Sequence, residues 1–255
     1  MFPLPAGRVW AARLGGGGVG PPSGRPHTAA PARALIDQQG EDVSYTVRSA
    51  TKTDAEPLIA VLAAAFHDGP LAEWLVPHPD ERRTIHHRYF ADAFANGIEH
   101  GEVYTAGAQS AVAIWYARPA TPIVGRDERR TVLEAIAGGH APNFALLEEV
   151  LGAGQPERPH HCLAYLAVDP RRQRQGLGSA LLAAHHRRLG QWHLPAHLAA
   201  TGLHSRRFFV RHGYTTGPGT SLPDSGPIIW PMWRGTSAGH RRSPAPPTRP
   251  RRRSL

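Results

Sequence analysis

The sequence predicts an α/β (α+β) domain with a mixed central sheet of about seven strands flanked by helices. Three observations carry that prediction. Strand-like and helix-like segments follow the order β-α-α-β-β-(αα)-β-α-β-α-β-β. Some neighbouring strands are joined by tight turns and others by a helix, so antiparallel and parallel pairs must coexist. Of the 255 residues, 41% are hydrophobic and 19% charged, which is enough apolar material for a sizeable core.

Each element has a local reason. Tyr45 to Arg48 alternates faces as a short strand. A helix then opens near Lys52, where Thr53 or Asp54 can accept its orphan N–H groups and Pro57 is tolerable only in the first turn. Leu58, Val61, Leu62 and Ala65 form its apolar face, and His67-Asp68-Gly69-Pro70 ends it. The loop that follows carries Glu73-Trp74-Leu75. A second helix runs from Asp80 to about Ile98. Glu102–Ala106 and Ala111–Ala117 read as a hairpin around residues 107–110, with Pro119 and Pro122 ending the second strand. Glu128–Ala137 and Asn143–Leu151 read as two helical pieces, either a lid or packing. His161–Val168 is a strand closed by Asp169-Pro170. Gly176–Leu189 is a helix with Leu177, Ala180, Leu181 and Ala184 on one face. Ala196–Ala200 is a strand and Ser205–His212 a short helix stopped by Gly213. Two strands, about Tyr214–Gly217 and Ile228–Trp233, close the domain, with Pro231 favouring an edge or bulge.

The charge is unevenly placed. Lys+Arg number 29 and Asp+Glu 20, a net +9. Residues 1–43 carry four Arg against three acids, together with eight glycines and six prolines. Residues 235–255 carry six Arg, four prolines and no acid. Neither end has strand or helix periodicity, so both read as disordered extensions of a domain spanning 44–234. Val43 offers an alternative translation start, in which case residues 1–42 are not translated. The arginines of the tail suit an anionic surface, but no aromatic side chain interleaves them to stack on bases, so nucleic acid is not expected as a partner.

Other function classes are excluded on similar grounds. The single cysteine, Cys162, rules out an internal disulfide framework and a cysteine-based zinc site. The apolar stretch from Leu58 to Phe66 is far shorter than the ~20 residues of a membrane span. Arg8 and Arg13 interrupt any secretory signal pattern, so the expected location is the cytoplasm. Histidine pairs at 86–87, 160–161 and 185–186 point to different faces, so no metal is expected.

The chemistry concentrates in one segment, from Leu166 to Leu182. An apolar strand runs into Gln173-Arg174-Gln175-Gly176-Leu177-Gly178 and then into an amphipathic helix. Gly176 and Gly178 let a ligand approach the backbone, and a helix start offers unpaired N–H groups at the positive end of its dipole. Arg171, Arg172 and Arg174 add positive charge. This composition suits a phosphate or pyrophosphate. It is neither a P-loop, lacking Gly-Lys-Ser/Thr, nor the dinucleotide fingerprint, since position 181 is leucine.

At these residues the chain resembles the GNAT superfamily of N-acetyltransferases, whose acyl-CoA signature is Gln/Arg-x-x-Gly-x-Gly/Ala after a strand. A second element, Phe209-Val210-Arg211-His212-Gly213-Tyr214, is similar to the family's Phe/Tyr-x-x-x-Gly-Phe/Tyr. The resemblance covers about 44–234. It implies the GNAT fold, acetyl-CoA as co-substrate, and direct attack by a small-molecule or peptide amine in a ternary complex. By the same resemblance, the N–H groups of Arg174 through Ser179, including Gln175, Gly176, Leu177 and Gly178, wrap the pyrophosphate. The main chain of Leu166, Ala167 and Val168 pairs with the pantetheine arm, and the Leu166 N–H polarises the thioester carbonyl. Ser205, Phe208 and Phe209 line the thiol exit. Two departures stand out. Phe209 occupies the position where many relatives place a proton-donating tyrosine, and Cys162 lies near that of their glutamate base. His161 is then the candidate base. Two further readings remain open: a non-catalytic acyl-CoA-binding regulatory module, and an acetyltransferase for antibiotic-type amines. A monomer or homodimer is compatible with either.

Overall fold

The structure is a computed structural model, and it describes residues 45–118, 126–155 and 158–235. The two terminal segments, together with Pro119 and Pro122, lie outside the described residues. Among the described residues eight strands build the sheet: β1 (Val47–Ser49), β2 (Glu102–Ala106), β3 (Ala111–Arg118), β4 (His160–Val168), β5 (Ala196–Ala200), β6 (Thr215–Thr216), β7 (Thr220–Ser221) and β8 (Ile228–Arg234). Their order is β1-β2-β3-β4-β5-β8-β6, with β7 also paired to β8. Only β4 and β5 run parallel, and the other pairs are antiparallel. The mixed sheet is therefore as the sequence predicts. The eighth strand is the two-residue β7, too short to show any periodicity.

Helices cover both faces. On one lie α1 (Ala55–Ala65), α2 (Pro70–Leu75), α3 (Pro79–His100), α4 (Arg126–Ala137) and α5 (Ala141–Ala153). Leu58, Leu62, Phe90, Phe94, Leu133 and Phe144 pack there against Val112, Ile114 and Ala167. The segment expected as a lid or packing thus contributes core side chains. The other face carries α6 (Leu177–Trp192) and α7 (Leu203–Arg211). Leu177, Leu181, Leu182 and Leu189 of α6 meet Ala113, Trp115, Leu163 and Leu198 there. Burying each leucine contributes roughly 1.5–3 kcal/mol. The buried stripe of α6 runs through His185, which the expected face of Ala180 and Ala184 did not include.

The loop expected after α1 contains the short helix α2. Gly69 enters it at φ +109°, a conformation that favours glycine, and Pro70 starts the helix with its φ already set. Trp74 on α2 donates its Nε1–H to the Pro223 carbonyl at 3.0 Å, and Asn143 of α5 donates to the Trp74 carbonyl at 2.9 Å. These bonds hold α2 between α5 and the 222–227 turn.

One irregularity positions everything that follows. Ile114 pairs with Tyr165, yet Trp115 pairs with Leu163, so Ala164 is an extra residue in β4. This β-bulge shifts the alternation of every later side chain by one. Leu163 faces α6, and after the bulge Leu166 and Val168 also face it. Tyr165 and Ala167 turn to the opposite face, among the α1–α5 side chains.

Candidate active site

The open edge of β4 comes from where β5 stops following it. The parallel pairing covers His161, Cys162 and Leu163 only. Beyond Leu163 the two strands diverge. The Asp169 N–H donates to the Ser110 carbonyl at 2.8 Å, which makes 110 and 169 a hydrogen-bonded antiparallel pair. Alternation then assigns 112/167 and 114/165 to the same class, and 111/168 and 113/166 to the non-bonded class. The N–H and C=O groups of Leu166 and Val168 therefore point away from β3, into the gap left by β5. They form a short stretch of strand edge that β5 does not pair, suited to an extended polar ligand. The side-chain amide of Gln173 reaches the Val168 carbonyl at 3.3 Å.

The turn after β4 is built from backbone and side-chain bonds. Asp169 accepts from the Arg171 N–H at 2.9 Å and opens a single 3₁₀ turn, Pro170–Arg172. Arg172 donates to the Gly107 carbonyl and to the Ser110 hydroxyl, both at 2.9 Å. Of the three arginines that supplied charge in the sequence, Arg172 is thus a brace between two turns. Gln173, Arg174, Gln175 and Gly176 are exposed, as a ligand-facing turn requires.

The start of α6 fits an anion. Gly176 is its N-cap at φ +87°, in the left-handed region, and glycine has no side chain with which to cap. The first bond into the helix is Ala180 N–H to the Gly176 carbonyl at 2.9 Å. The N–H groups of Leu177, Gly178 and Ser179 precede that bond and belong to the helix's unpaired first turn. With the dipole behind them, they suit the pyrophosphate of a coenzyme A ester. A Cβ at Gly178 would lie 3.4 Å from Phe208 Cζ, 3.7 Å from Val168 Cγ2 and 3.9 Å from Leu166 Cδ2. Glycine there brings the helix start, β4 and α7 together. The Ser179 hydroxyl lies 3.0 Å from His212 Nε2, and the Ser205 hydroxyl donates to the Gly202 carbonyl at 2.9 Å.

The two phenylalanines of α7 separate. Phe208 is half-buried beside Gly178. Phe209 is buried, with its ring 5.7 Å from that of Tyr214 in the α6-side core. The sequence placed the Phe209 ring at the thiol. The structure sets Phe208 beside the Gly176–Gly178 turn and Phe209 in the core. Successive helical residues lie about 100° apart, so only packing decides which faces the gap.

His161 lies at the far end of β4, five residues or roughly 16 Å before Leu166. It is buried, its Nδ1 lies 3.1 Å from His185 Nε2, and Trp192 covers it with ring centroids 5.6 Å apart. Burial lowers its pKa, with the Glu102 carboxylate opposing and Arg188 and His160 adding to the effect. Burial likewise raises the Cys162 thiol, so it is no ready nucleophile. Among the described residues no group of three or more His, Cys, Asp or Glu could hold a metal, and no helix is long and apolar enough to cross a membrane.

A polar chain that the sequence reading missed lies on the other face of β4. The Tyr165 and Tyr89 hydroxyls are 2.9 Å apart, and Tyr89 donates to Glu148 at 3.3 Å. Arg129 holds Glu148 at 2.7 Å and Asp92 at 2.6 Å. Phe66 and Phe90 enclose Tyr165, with centroids 6.2 and 5.5 Å away. Burial raises both phenols well above their ordinary pKa. These residues come from β4, α3, α4 and α5, and no short-range pattern links them. Only the bulge at Ala164 turns Tyr165 towards them.

Comparison with known proteins bears on the family and the fold. Residues 137–216 match the family model of the acetyltransferase (GNAT) domain, which bears out the resemblance drawn from 173–178 and 209–214. The fold is similar to the structure described as histone acetyltransferase HPA2 and related acetyltransferase from Corynebacterium glutamicum. That match has 25% identity and a TM-score of 0.58, covering 76% of this chain and 97% of that one. It is similar also to arylalkylamine N-acetyltransferase 2 from Aedes aegypti, at 14% identity and TM-score 0.57, covering 75% and 98%. A polyamine N-acetyltransferase from Drosophila melanogaster, an enzyme that forms N-acetylagmatine, matches at 16% identity and TM-score 0.52, covering 75% and 99%.

Proposed function

We propose that this chain, with its GNAT acetyltransferase domain, moves an acetyl group from acetyl-CoA to a small amine by direct attack in a ternary complex. The observation that carries the reading is one junction. The edge of β4 that β5 leaves open at Leu166 and Val168 leads through the 169–175 turn into a helix start whose N-cap is Gly176. A strand edge and an anion site in line fit a ligand with an extended amide arm and a pyrophosphate at its end.

In this reading the N–H groups of residues 174–179 hold the pyrophosphate, and the main chain of Leu166 and Val168 takes the pantetheine arm, while Ala167 between them is paired to Val112 of β3. The Leu166 N–H, aimed into the gap, stabilises the negative charge that grows on the thioester oxygen. Phe208, with Ser205 on the same helix, borders the thiol, and Phe209 supports it from the core. Neither phenylalanine carries a proton, so water supplies the thiolate. His161 is given no proton transfer, because its ring is engaged with His185 under Trp192. Residues 44–234 form the transferase unit, in a cytoplasmic protein.

The acceptor enters from the α1–α5 face, where aromatic side chains surround Tyr165. Arylalkylamines and agmatine, the amines named for two structural neighbours, are the first acceptors to try. The test is thiol release from acetyl-CoA against such a panel. Release that depends on amine supports transfer. Tight coenzyme A binding with no release for any amine would make the chain a non-catalytic binder.

A further inference from the structure

We propose that the Tyr165 hydroxyl receives the proton of the incoming amine and passes it through Tyr89 to Glu148 and solvent. The inference rests on the acetyl-transfer reading and deepens it by naming the acceptor-side catalytic group.

The direction of the chain follows from its last member. An ionised carboxylate only accepts hydrogen bonds. Glu148 acts here as an acceptor, with Arg129 Nε and Nη2 donating to its oxygens at 2.7 to 3.1 Å. The single proton of Tyr89 therefore goes to Glu148. Tyr89 can then only accept from Tyr165, so the single proton of Tyr165 goes to Tyr89. What Tyr165 has left is lone-pair density. It is an acceptor for an N–H donor, placed next to Leu166 in β4 and walled by Phe66 at the end of α1.

The charge of the cluster fits the same direction. Asp92 and Glu148 share the one guanidinium of Arg129, which leaves an excess of one negative charge behind the two phenols. The groups facing Tyr165 are Tyr89 from α3, Glu148 from α5, Arg129 from α4 and Tyr116 from β3. Tyr116 is itself bonded by Asn96 at 3.0 Å. The outer end of the path is wet, with the Glu148 and Asp92 side chains 28% and 33% exposed.

The step balances. An ammonium proton moves to Tyr165 Oη as the Tyr165 proton moves to Tyr89 and the Tyr89 proton to Glu148, which releases it to solvent. The freed nitrogen lone pair forms the C–N bond, and the C–S bond breaks with its electron pair leaving on sulfur. The nitrogen's second proton reaches the thiolate through water. The products are one amide, one thiol and one proton in solvent, and the two hydroxyls rotate back. Neither tyrosine needs to ionise, so phenols that resist ionisation still serve.

The test uses the full chain with one primary alkylamine that the wild type acetylates. Tyr165→Phe should lower kcat about 10²-fold near neutral pH, the low end of proton-transfer catalysis. KM for acetyl-CoA should be unchanged. The defect should shrink as pH approaches about 10, where an alkylamine becomes neutral unaided. Tyr89→Phe keeps the Tyr165 hydroxyl and breaks the path behind it, so it should show the same pH-rescued loss. A purely structural role would move the melting temperature and leave the shape of the pH profile alone. Wild-type kcat at every pH in Tyr165→Phe, with transfer intact, overturns the relay. A wild type that binds coenzyme A yet acetylates no amine overturns the transfer reading and takes the relay with it.

Discussion

His161 of β4 and His185 of α6 share one hydrogen bond, with Nδ1 of the first 3.1 Å from Nε2 of the second. Two cations cannot sit at that distance beneath Trp115, whose ring stacks on His185 at 4.0 Å. With the donor proton on His161, His185 carries its own on Nδ1, 3.8 Å from the Glu102 carboxylate. The pair is a neutral, buried joint between β4 and α6.

Acid should therefore weaken the fold. Burial pushes His185 down to about 2, His186 to about 3, and His86 and His197 to about 4. A histidine with a lowered folded pKa binds more protons when unfolded. Stability is then full above the unfolded value, about 6.5, and falls as pH drops below it. Melting temperature should decline steadily from pH 7 to pH 5. A flat profile over that window would show that these rings are not held neutral.

Gly176→Asp should weaken coenzyme A binding far more than it weakens folding. The φ of +87° makes any side chain there strained, by roughly 1–2 kcal/mol. The carboxylate would also oppose the phosphates at the helix start. Titration calorimetry with coenzyme A, beside a thermal melt, separates the two effects. An unchanged dissociation constant in a folded variant would sink the cofactor site.

Asp54→Ala should destabilise the domain by about 2–3 kcal/mol, the scale of lost charged hydrogen bonds. Asp54 is 2% exposed and accepts from Arg48, the Thr51 N–H and Gln109 at 2.6 to 2.8 Å. These contacts hold its carboxyl well below the usual range, with the Arg48 bond the largest cause. Gln109 belongs to the same turn that Arg172 braces. Urea denaturation measures the loss, and a change under about 0.5 kcal/mol, an ordinary surface effect, would contradict it.

Phe208→Tyr and Phe209→Tyr should behave differently. A hydroxyl on Phe209 enters the apolar core beside Tyr214, so melting temperature falls and kcat stays level. A hydroxyl on Phe208 lies by the Gly178 turn and should alter kcat or KM for acetyl-CoA. The reverse outcome would place Phe209 at the thiol after all.

Trp74→Ala should raise KM for the amine and leave coenzyme A binding intact. It removes the bond to Pro223 that ties α2 to the 222–227 turn, on the face where the proposed acceptor enters. Equal amine KM in both proteins would mean that α2 does not shape the acceptor pocket.

The element order, the mixed sheet and the strand–turn–helix segment from Leu166 to Leu182 are legible in the residues alone. Those features are local. Alternation, capping residues and glycines at 176 and 178 act within a few residues of where they are read. Which groups meet depends on packing between elements. An extra residue at Ala164 is visible only against β3, because a bulge is a property of two paired strands. That one residue sends Tyr165 to the α1–α5 face and Leu166 to the α6 face. The same holds for Arg172, which looks like free charge until Gly107 and Ser110 come within 2.9 Å, and for Phe208 and Phe209, whose order of burial follows from the seat of α7. His161 read as a strand-end base because His185, 24 residues on, has no local link to it. Packing brings the two rings together, and a desolvated, partnered ring is part of the core.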